Sequence, residues 1–325
     1  MRRRRQLLLG GPTLALAPFA APAGAQDLPP RPVRMVVPYA PGGTTDILAR
    51  ILAEHFQAEF GQPLVVDLRP GAGGTIGTAQ VAQAAPDGTT LVMGTPGTHA
   101  TATALYPNLP YDPIRDFAPV MLVANVPNIV IVNPALPIRS IAELIAAARA
   151  RPGSINYGSA GNGATTHLSG ELFRLMTGAE IVHVPYRGSG AALIDLQAGQ
   201  IQLMFENLPG AIQHVREGRL RALAVTSPRR AKATPDLPTV AEAGVPGYAV
   251  VSWFAVFAPA GTPASVVARL NQGLRRIMAI PAVRQRMEGL GAEPADGPPE
   301  ELARLVAEER ARWTRVIQDA QIRIQ

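Results

Sequence analysis

From Val33 onward the chain alternates short apolar runs with longer stretches whose apolar positions recur every three to four residues. Val33 to Val37, Leu64 to Val66 and Leu91 to Met93 read as buried strands, each followed closely by glycine or proline. Between them, Ile47, Leu48, Ile51, Leu52 and Phe56 form one apolar stripe of a helix beginning near Asp46, and a second helix covers Thr75 to Ala85. This βαβα order predicts a parallel sheet with helices on both faces. The pattern restarts after Asn125. Asn128 to Val132 is a strand, Ser140 can cap a helix running to Arg149, and Ile155 to Tyr157 is a strand. A helix over Thr165 to Thr177 stops at Gly178, and Ile181 to Val184, Gln202 to Phe205 and Arg221 to Thr226 are further strands.

The last portion differs. After a strand over Ser252 to Phe257 it is largely helical, with stripes at Val266, Val267, Leu270, Leu274 and Ile277 and again from Leu302 to Ile317. A block without strands of its own needs a sheet to cover, so the chain is expected to return to the first one. The expected organisation is α/β in two lobes, each a mainly parallel sheet flanked by helices. The first lobe comprises 26–125 plus 250–325 and the second 126–249, joined by crossing segments near Ala124 to Pro127 and Gly247 to Val251. A length of 325 residues suits two domains.

The first 25 residues stand apart. Arg2 to Arg5, an apolar stretch from Leu7 to Leu16 and Ala23-Gly24-Ala25 form the three parts of a secretory signal peptide, with Arg4-Arg5 also compatible with twin-arginine export. The apolar stretch is far short of the ~20 residues that span a bilayer. Cleavage after Ala25 removes four arginines and no acid, so the formal charge falls from +6 to +2. That removes the electrostatic case for nucleic-acid binding. The mature chain is expected to be exported to the periplasm, not inserted in the membrane, and monomeric. The absence of cysteine excludes disulfides, thiolate metal sites and cysteine nucleophiles.

The chemistry-bearing features are glycine-rich turns between strands and helices. In open α/β sheets ligands bind beyond the carboxyl ends of the strands. Glycine lets a ligand approach the backbone there, and the following helix offers unpaired N–H groups to an anion. Pro41-Gly42-Gly43-Thr44-Thr45-Asp46 is one such turn, with Thr45 or Asp46 acting as a helix cap as the competing reading. Gly158-Ser159-Ala160-Gly161-Asn162-Gly163 is the second, and His167 follows it with either a packing or a ligand-facing role. Arg187-Gly188-Ser189-Gly190 is a third candidate turn, with a structural cap as the favoured reading. Glu206-Asn207 ends a strand, where it can face the cleft or cap the next helix. Familiar catalytic patterns fail. The single lysine, Lys232, lies in no phosphate-binding loop, no dinucleotide fingerprint is complete, Ser159 is not in a nucleophile elbow, and the five histidines have no metal-ligand spacing. No cofactor or metal is expected. Aromatics at 5% disfavour a sugar ligand, which would call for stacking rings.

The chain resembles the Bug-type substrate-binding proteins of tripartite tricarboxylate transporters. The resemblance rests on Val37-Pro38-Tyr39-Ala40-Pro41-Gly42-Gly43 with Asp46, on Arg69-Pro70-Gly71-Ala72-Gly73-Gly74, and on Ala85-Pro86-Asp87-Gly88 and Leu109-Pro110-Tyr111-Asp112. It continues through Tyr157 to Gly163 with His167, His183-Val184-Pro185-Tyr186, Met204-Phe205 with Asn207-Leu208-Pro209, Leu223 to Thr226, and Ala258 to Pro263. It implies a periplasmic binding protein of the second structural type, hinged between two lobes, that passes a small carboxylated ligand to inner-membrane transporter subunits. Service as a sensor subunit, or as an exported hydrolase using Ser159 and His167, are the alternatives. The implied ligand-binding residues are Tyr39, Pro41, Gly42, Gly43, Thr44, Asp46 and Thr95 from the first lobe. From the second they are Ser159, Ala160, Gly161, Gly163, His167, Glu206 and Asn207. The chain departs from the family where Glu206 replaces a common Asp, at Thr75, at Thr101-Ala102 and at Ala255. The changes at Thr101-Ala102 and Glu206 bear on ligand identity and not on the fold.

Overall fold

The computed structural model describes residues 28–319 and 321–323; the expected signal peptide, 1–25, lies outside the described residues. The first half contains β1 (Val33–Val37), α1 (Thr44–Phe60), β2 (Leu64–Leu68), a 3-10 turn (Ala72–Gly74), α2 (Thr75–Ala82), β3 (Thr90–Gly94), a wide turn (Gly97–Thr101) and α3 (Ala102–Leu105). β4 (Phe117–Val132) leads into α4 (Ile141–Ala150), β5 (Ile155–Ser159), α5 (Thr165–Thr177), β6 (Ile181–Pro185), α6 (Ser189–Gln197), β7 (Leu203–Asn207), α7 (Leu208–Arg216) and β8 (Arg221–Val225). β9 (Val251–Pro259) is followed by α8 (Ala264–Met278), α9 (Pro281–Gly289), β10 (Glu293–Pro294) and α10 (Pro299–Asp319).

The strands run in the order β2-β1-β3-β9-β4-β7-β5-β6, and β8 and β10 also pair with β4. β1 is parallel to β2 and β3, and β5 is parallel to β6 and β7. β9 is antiparallel to β3 and β4, and β4 is antiparallel to β7, β8 and β10. Each half is therefore a parallel βαβ core closed by antiparallel strands. The cause is connectivity: the chain leaves the first sheet along β4 and returns along β9, so the two run in opposite directions.

β4 is the main departure from the sequence pattern, which marks only Asn128 to Val132. The strand is 16 residues long. Its Phe117–Pro127 stretch pairs with β9, and Asn128–Val132 pairs with β7 and β8. Pro119 and Pro127 hide it, because proline within a run normally argues against a strand; the pairing shifts register between Pro119 and Met121 and again between Leu122 and Ala124. The strandless C-terminal block predicted above also contributes the short β10, against Ala124 and Asn125. α1 starts two residues earlier than the periodicity suggests, at Thr44, and α2 ends at Ala82.

Alternation along β9 organises the packing of the first half. Phe254 and Val256 face Leu48, Ile51, Leu52 and Phe56 of α1 and Leu270, Leu274 and Ile277 of α8. Trp253, Ala255 and Phe257 belong to a second cluster with Leu302, Val306, Trp313 and Ile317 of α10. The C-terminal helices thus return to the first sheet. Among the described residues no helix is long and apolar enough to cross a membrane, and no cluster of His, Asp and Glu could hold a metal ion.

His99, in the wide turn after β3, is wholly buried and stacked on Phe257 with ring centroids 3.9 Å apart. Its Nδ1 lies 2.8 Å from the Thr98 hydroxyl. Burial lowers its pKa from 6.5 to about 3. Below about pH 6.5 the unfolded chain takes up a proton that the folded chain refuses, so stability falls as pH drops toward 3. Between about pH 6.5 and pH 5 this single site should cost roughly 2 kcal/mol. Chemical denaturation across that interval should show a shallower pH slope for His99→Gln than for the parent chain; equal slopes would contradict a neutral buried imidazole.

Candidate functional site

Loops at the carboxyl ends of β1, β3, β5, β6 and β7 meet between the two sheets. They enclose a cavity of about 20 Å³ lined by Tyr39, Gly43, Thr44, Thr45, Thr95, Ala160, Ala164, Thr165, Ser189, Asn207, Ser252 and Phe254. No ionisable acid, lysine, arginine or histidine is among these residues. Four helices, α1, α5, α6 and α7, begin at the cavity wall, and none has a side-chain hydrogen bond capping its first turn. Their first N–H groups have no intrahelical acceptor, and each N-terminus carries partial positive charge. Asn207 stands at a capping position of α7, yet its Oδ1 has no partner. The Thr44 hydroxyl is likewise buried and unpartnered. The arrangement offers N–H donors, hydroxyls and one amide to a small anion, without a full positive charge.

The first glycine turn divides into wall and support. Gly43 and Thr44 line the cavity. Asp46 does not: its Oδ2 accepts from the Gly42 N–H at 3.1 Å and its Oδ1 from Arg50 Nε at 2.7 Å, so it fastens the turn to the helix. Pro41 and Gly42 pack against Gly190 of the opposite half. Tyr39 donates toward the Gly73 carbonyl at 3.3 Å and lies 2.9 Å from the Thr95 hydroxyl. Burial pushes its phenol up to about 12, which keeps it neutral.

The second glycine loop presents Ala160, Ala164 and Thr165 to the cavity while most of the residues singled out from sequence stand behind it. The Ser159 hydroxyl is buried, lies 2.6 Å from His183 Nε2 and accepts from the Gly161 N–H at 3.1 Å. His167 does not face the cavity. Its Nδ1 accepts from the Gly163 N–H at 3.1 Å and its ring stacks on His183 at 4.0 Å. Burial lowers the pKa of His167 to about 4; for His183 burial, joined by His167, lowers it to about 3. Two neutral imidazoles therefore hold the loop from behind. Ser159 meets His183, and not His167, in a hydroxyl–imidazole pair whose hydroxyl is buried and whose histidine is half-buried; among the described residues no carboxylate hydrogen-bonds to His183.

Gly161 and Gly163 serve the contact between halves. A Cβ on Gly161 would lie 3.2 Å from the Gly73 Cα, and the Gly163 carbonyl accepts from the Thr101 hydroxyl at 2.8 Å. Tyr106 donates to the Asn162 carbonyl at 3.2 Å, and the Ala40 N–H donates to the Arg187 carbonyl at 3.0 Å. These contacts make the structure a closed form.

Glu206 lies just behind the wall, fully buried, with neither carboxyl oxygen in hydrogen-bonding geometry with a donor. Burial raises its pKa to about 8, offset only in part by the nearby Ser189 hydroxyl and Asn207 N–H. Sequence reasoning missed Thr45, Ala164, Thr165, Ser189, Ser252 and Phe254. Thr165 could have been found, since it opens the helix after a glycine loop. Ser189 lies in the third candidate turn, for which the sequence favours a cap, whereas that turn closes onto Gly43. Ser252 and Phe254 belong to β9, and Ser252 meets Thr165 hydroxyl to hydroxyl at 3.1 Å; no local pattern signals that contact.

Residues 48–322 match the family described as tripartite tricarboxylate transporter family receptor. The chain is 40% identical to protein BugT of Bordetella pertussis, over 98% of each chain. Among solved structures it resembles R. palustris Rpa4515 with adipate, at 44% identity and a TM-score of 0.89, covering 91% of this chain and 99% of that one. It also resembles MatC of Rhodopseudomonas palustris with bound malate, at 37% identity and a TM-score of 0.85, covering 89% and 99% respectively. With a family match over most of its length and close relatives over nearly all of it, the chain belongs to the tripartite tricarboxylate transporter receptor family.

Proposed function

We propose that this chain is a periplasmic solute-binding protein that captures a small carboxylated metabolite between two lobes and delivers it to inner-membrane transporter subunits. The observation that carries this reading is the convergence of four uncapped helix N-termini on a cavity with no charged side chain in its wall. Such a wall suits a carboxylate, which N–H groups and helix dipoles can hold without a counter-ion. Relatives that bind adipate and malate support the same ligand class. Residues 1–25 direct export, residues 26–125 with 250–325 form one lobe, and 126–249 form the other. Gly43, Thr44, Thr95, Ala160 and Asn207 touch the ligand, joined by Thr45, Thr165, Ser189 and Ser252. Asp46, Ser159, Gly163 and His167 shape the loops. The protein is not an enzyme in this reading, since the Ser159 hydroxyl is buried and its histidine lacks an orienting acid.

A cavity of about 20 Å³ holds little more than one water, so ligand entry requires the lobes to part. Gly190 gives a handle on that motion. A Cβ there would fall onto the Pro41 carbonyl oxygen of the other half.

Two outcomes follow. In a thermal-shift screen of ligand-stripped protein against mono-, di- and tricarboxylates, an acid at about 100 times its Kd should add ~2.7 kcal/mol of stability, roughly 5 °C in Tm. A flat panel that includes adipate and malate would remove carboxylate capture. Gly190→Ala should weaken binding of the best hit at least about tenfold while leaving the ligand-free Tm nearly unchanged. Small-angle scattering should find the variant more open with ligand present. Undiminished affinity would show that capture does not need this closure.

A further inference from the structure

Glu206 is the penultimate residue of β7, and its side chain lies where the two halves meet. A Cβ on Gly210, in the first turns of α7, would sit 2.9 Å from Glu206 Oε1 and 3.6 Å from Thr44 Oγ1. The carboxyl group of one half and a hydroxyl of the other therefore approach each other past a residue with no side chain. All three oxygens are buried and without a hydrogen-bond partner. The elements around Glu206 supply no cation. On α1, Asp46 is paired with Arg50 and turned to Gly42. On α6, Ser189 contributes a hydroxyl, and Asp195 is engaged by Tyr186. The paired stretch of β4, Asn128 to Val132, has no ionisable residue. On α7, His214 and Arg216 lie in the last turn, one to two turns beyond Gly210.

An ionised Glu206 would thus be a buried charge without a counter-ion, and the cavity wall next to it, Thr44, Ser189 and Asn207, is the wall that would receive a ligand carboxylate. Two carboxylates so close and so poorly solvated do not both stay ionised. A neutral acid has the opposite property. Its O–H can donate a hydrogen bond to an acceptor that the wall leaves unsatisfied, such as Thr44 Oγ1 or Asn207 Oδ1, and fix its orientation toward the ligand.

We propose that Glu206 enters the closed cleft as the neutral acid, so that capture of an anionic ligand is coupled to uptake of one proton by this side chain. The inference rests on the carboxylate reading above and deepens it. Where the ligand-free protein carries Glu206 ionised, the ligand carboxylate and the Glu206 proton are bound together, and the net charge then brought into the cleft by a monocarboxylate is zero. Each further carboxylate would have to be met by N–H donors alone. Glu206 acts here as a positioning residue through Thr44 and Asn207.

The first test needs no ligand. Because the folded protein keeps a proton that the unfolded chain releases, stability falls as pH rises from about 4.5 to about 8 and is flat above that. The Tm of Glu206→Gln, which cannot ionise, should therefore gain steadily on that of the parent chain between these pH values. A constant difference overturns the neutral acid, whatever the ligand. The second test is calorimetric titration of the parent chain with adipate and malate above about pH 8, in buffers of different ionisation enthalpy. Uptake approaching one proton per ligand is expected, with affinity falling about tenfold per pH unit and the slope absent in Glu206→Gln. Binding without proton uptake and without a slope overturns the coupling while leaving carboxylate capture intact. Failure of every acid to bind at any pH overturns carboxylate capture and the coupling with it, and the stability comparison still reports the Glu206 proton by itself.

Discussion

The two halves of this molecule touch through backbone. Gly161 lies against Gly73, Gly190 against the Pro41 carbonyl, and Gly188 so near the Ala40 N–H that a Cβ would come within 2.6 Å of it. Side chains at these positions would hold the loops apart by several ångströms. That spacing decides everything else in the cleft. Helix N-termini exert their influence only within about a turn of their ends. Four of them can act on one small volume only if the turns that precede them are nearly in contact. Glycine between strand and helix is thus the condition for convergence. Supports such as Asp46 on Gly42, His167 on Gly163 and Thr101 on the Gly163 carbonyl hold each turn at the required place.

The absence of a charged side chain from the wall has a second consequence. A lysine or arginine would attract anions at long range and would tolerate many geometries. N–H groups at helix ends are unpaired donors whose directions the backbone fixes, so they reward an acceptor only at particular positions. In the proposed site, selection among small acids would fall to where the neutral groups stand. Thr44, Thr95, Asn207 and Ser252 would distinguish ligands by length and hydrogen-bonding capacity more than by charge. The aromatic neighbours are Tyr39 and Phe254, too few to prefer a stacked ring.

Much of this was legible in the sequence because its causes are local. The stripe Leu48, Ile51, Leu52, Phe56 specifies a helix covering a sheet, and all four residues are buried. The glycine turns after β1 and β5 point to strand ends, and both turns reach the cavity. What stayed hidden depends on residues far apart in the chain. β4 carries prolines that argue against a strand, and it exists because β9, more than a hundred residues later, pairs along it. Ser189 looks like a cap until Gly43 is brought opposite. His167 follows a glycine loop, as a ligand-facing histidine would, but the stack on His183 turns it inward. No periodicity reports a contact between rings on a helix and on a strand sixteen residues away.

Glu206 shows the same limit from the other side. As a residue type at a strand end it can cap the next helix or face the cleft, and the sequence favours neither. Its environment removes the first: no hydrogen bond joins its carboxyl oxygens to the first turn of α7, and no part of it reaches solvent. Its side chain carries the carboxyl group beyond the strand end to Gly210. Gly210 is what makes room for it, since a Cβ there would stand 2.9 Å from the acid. An aspartate with the same backbone would stop one methylene short of Gly210. In a cleft whose other polar groups are neutral, the protonation state of this acid would set the charge that a ligand of the proposed kind must meet.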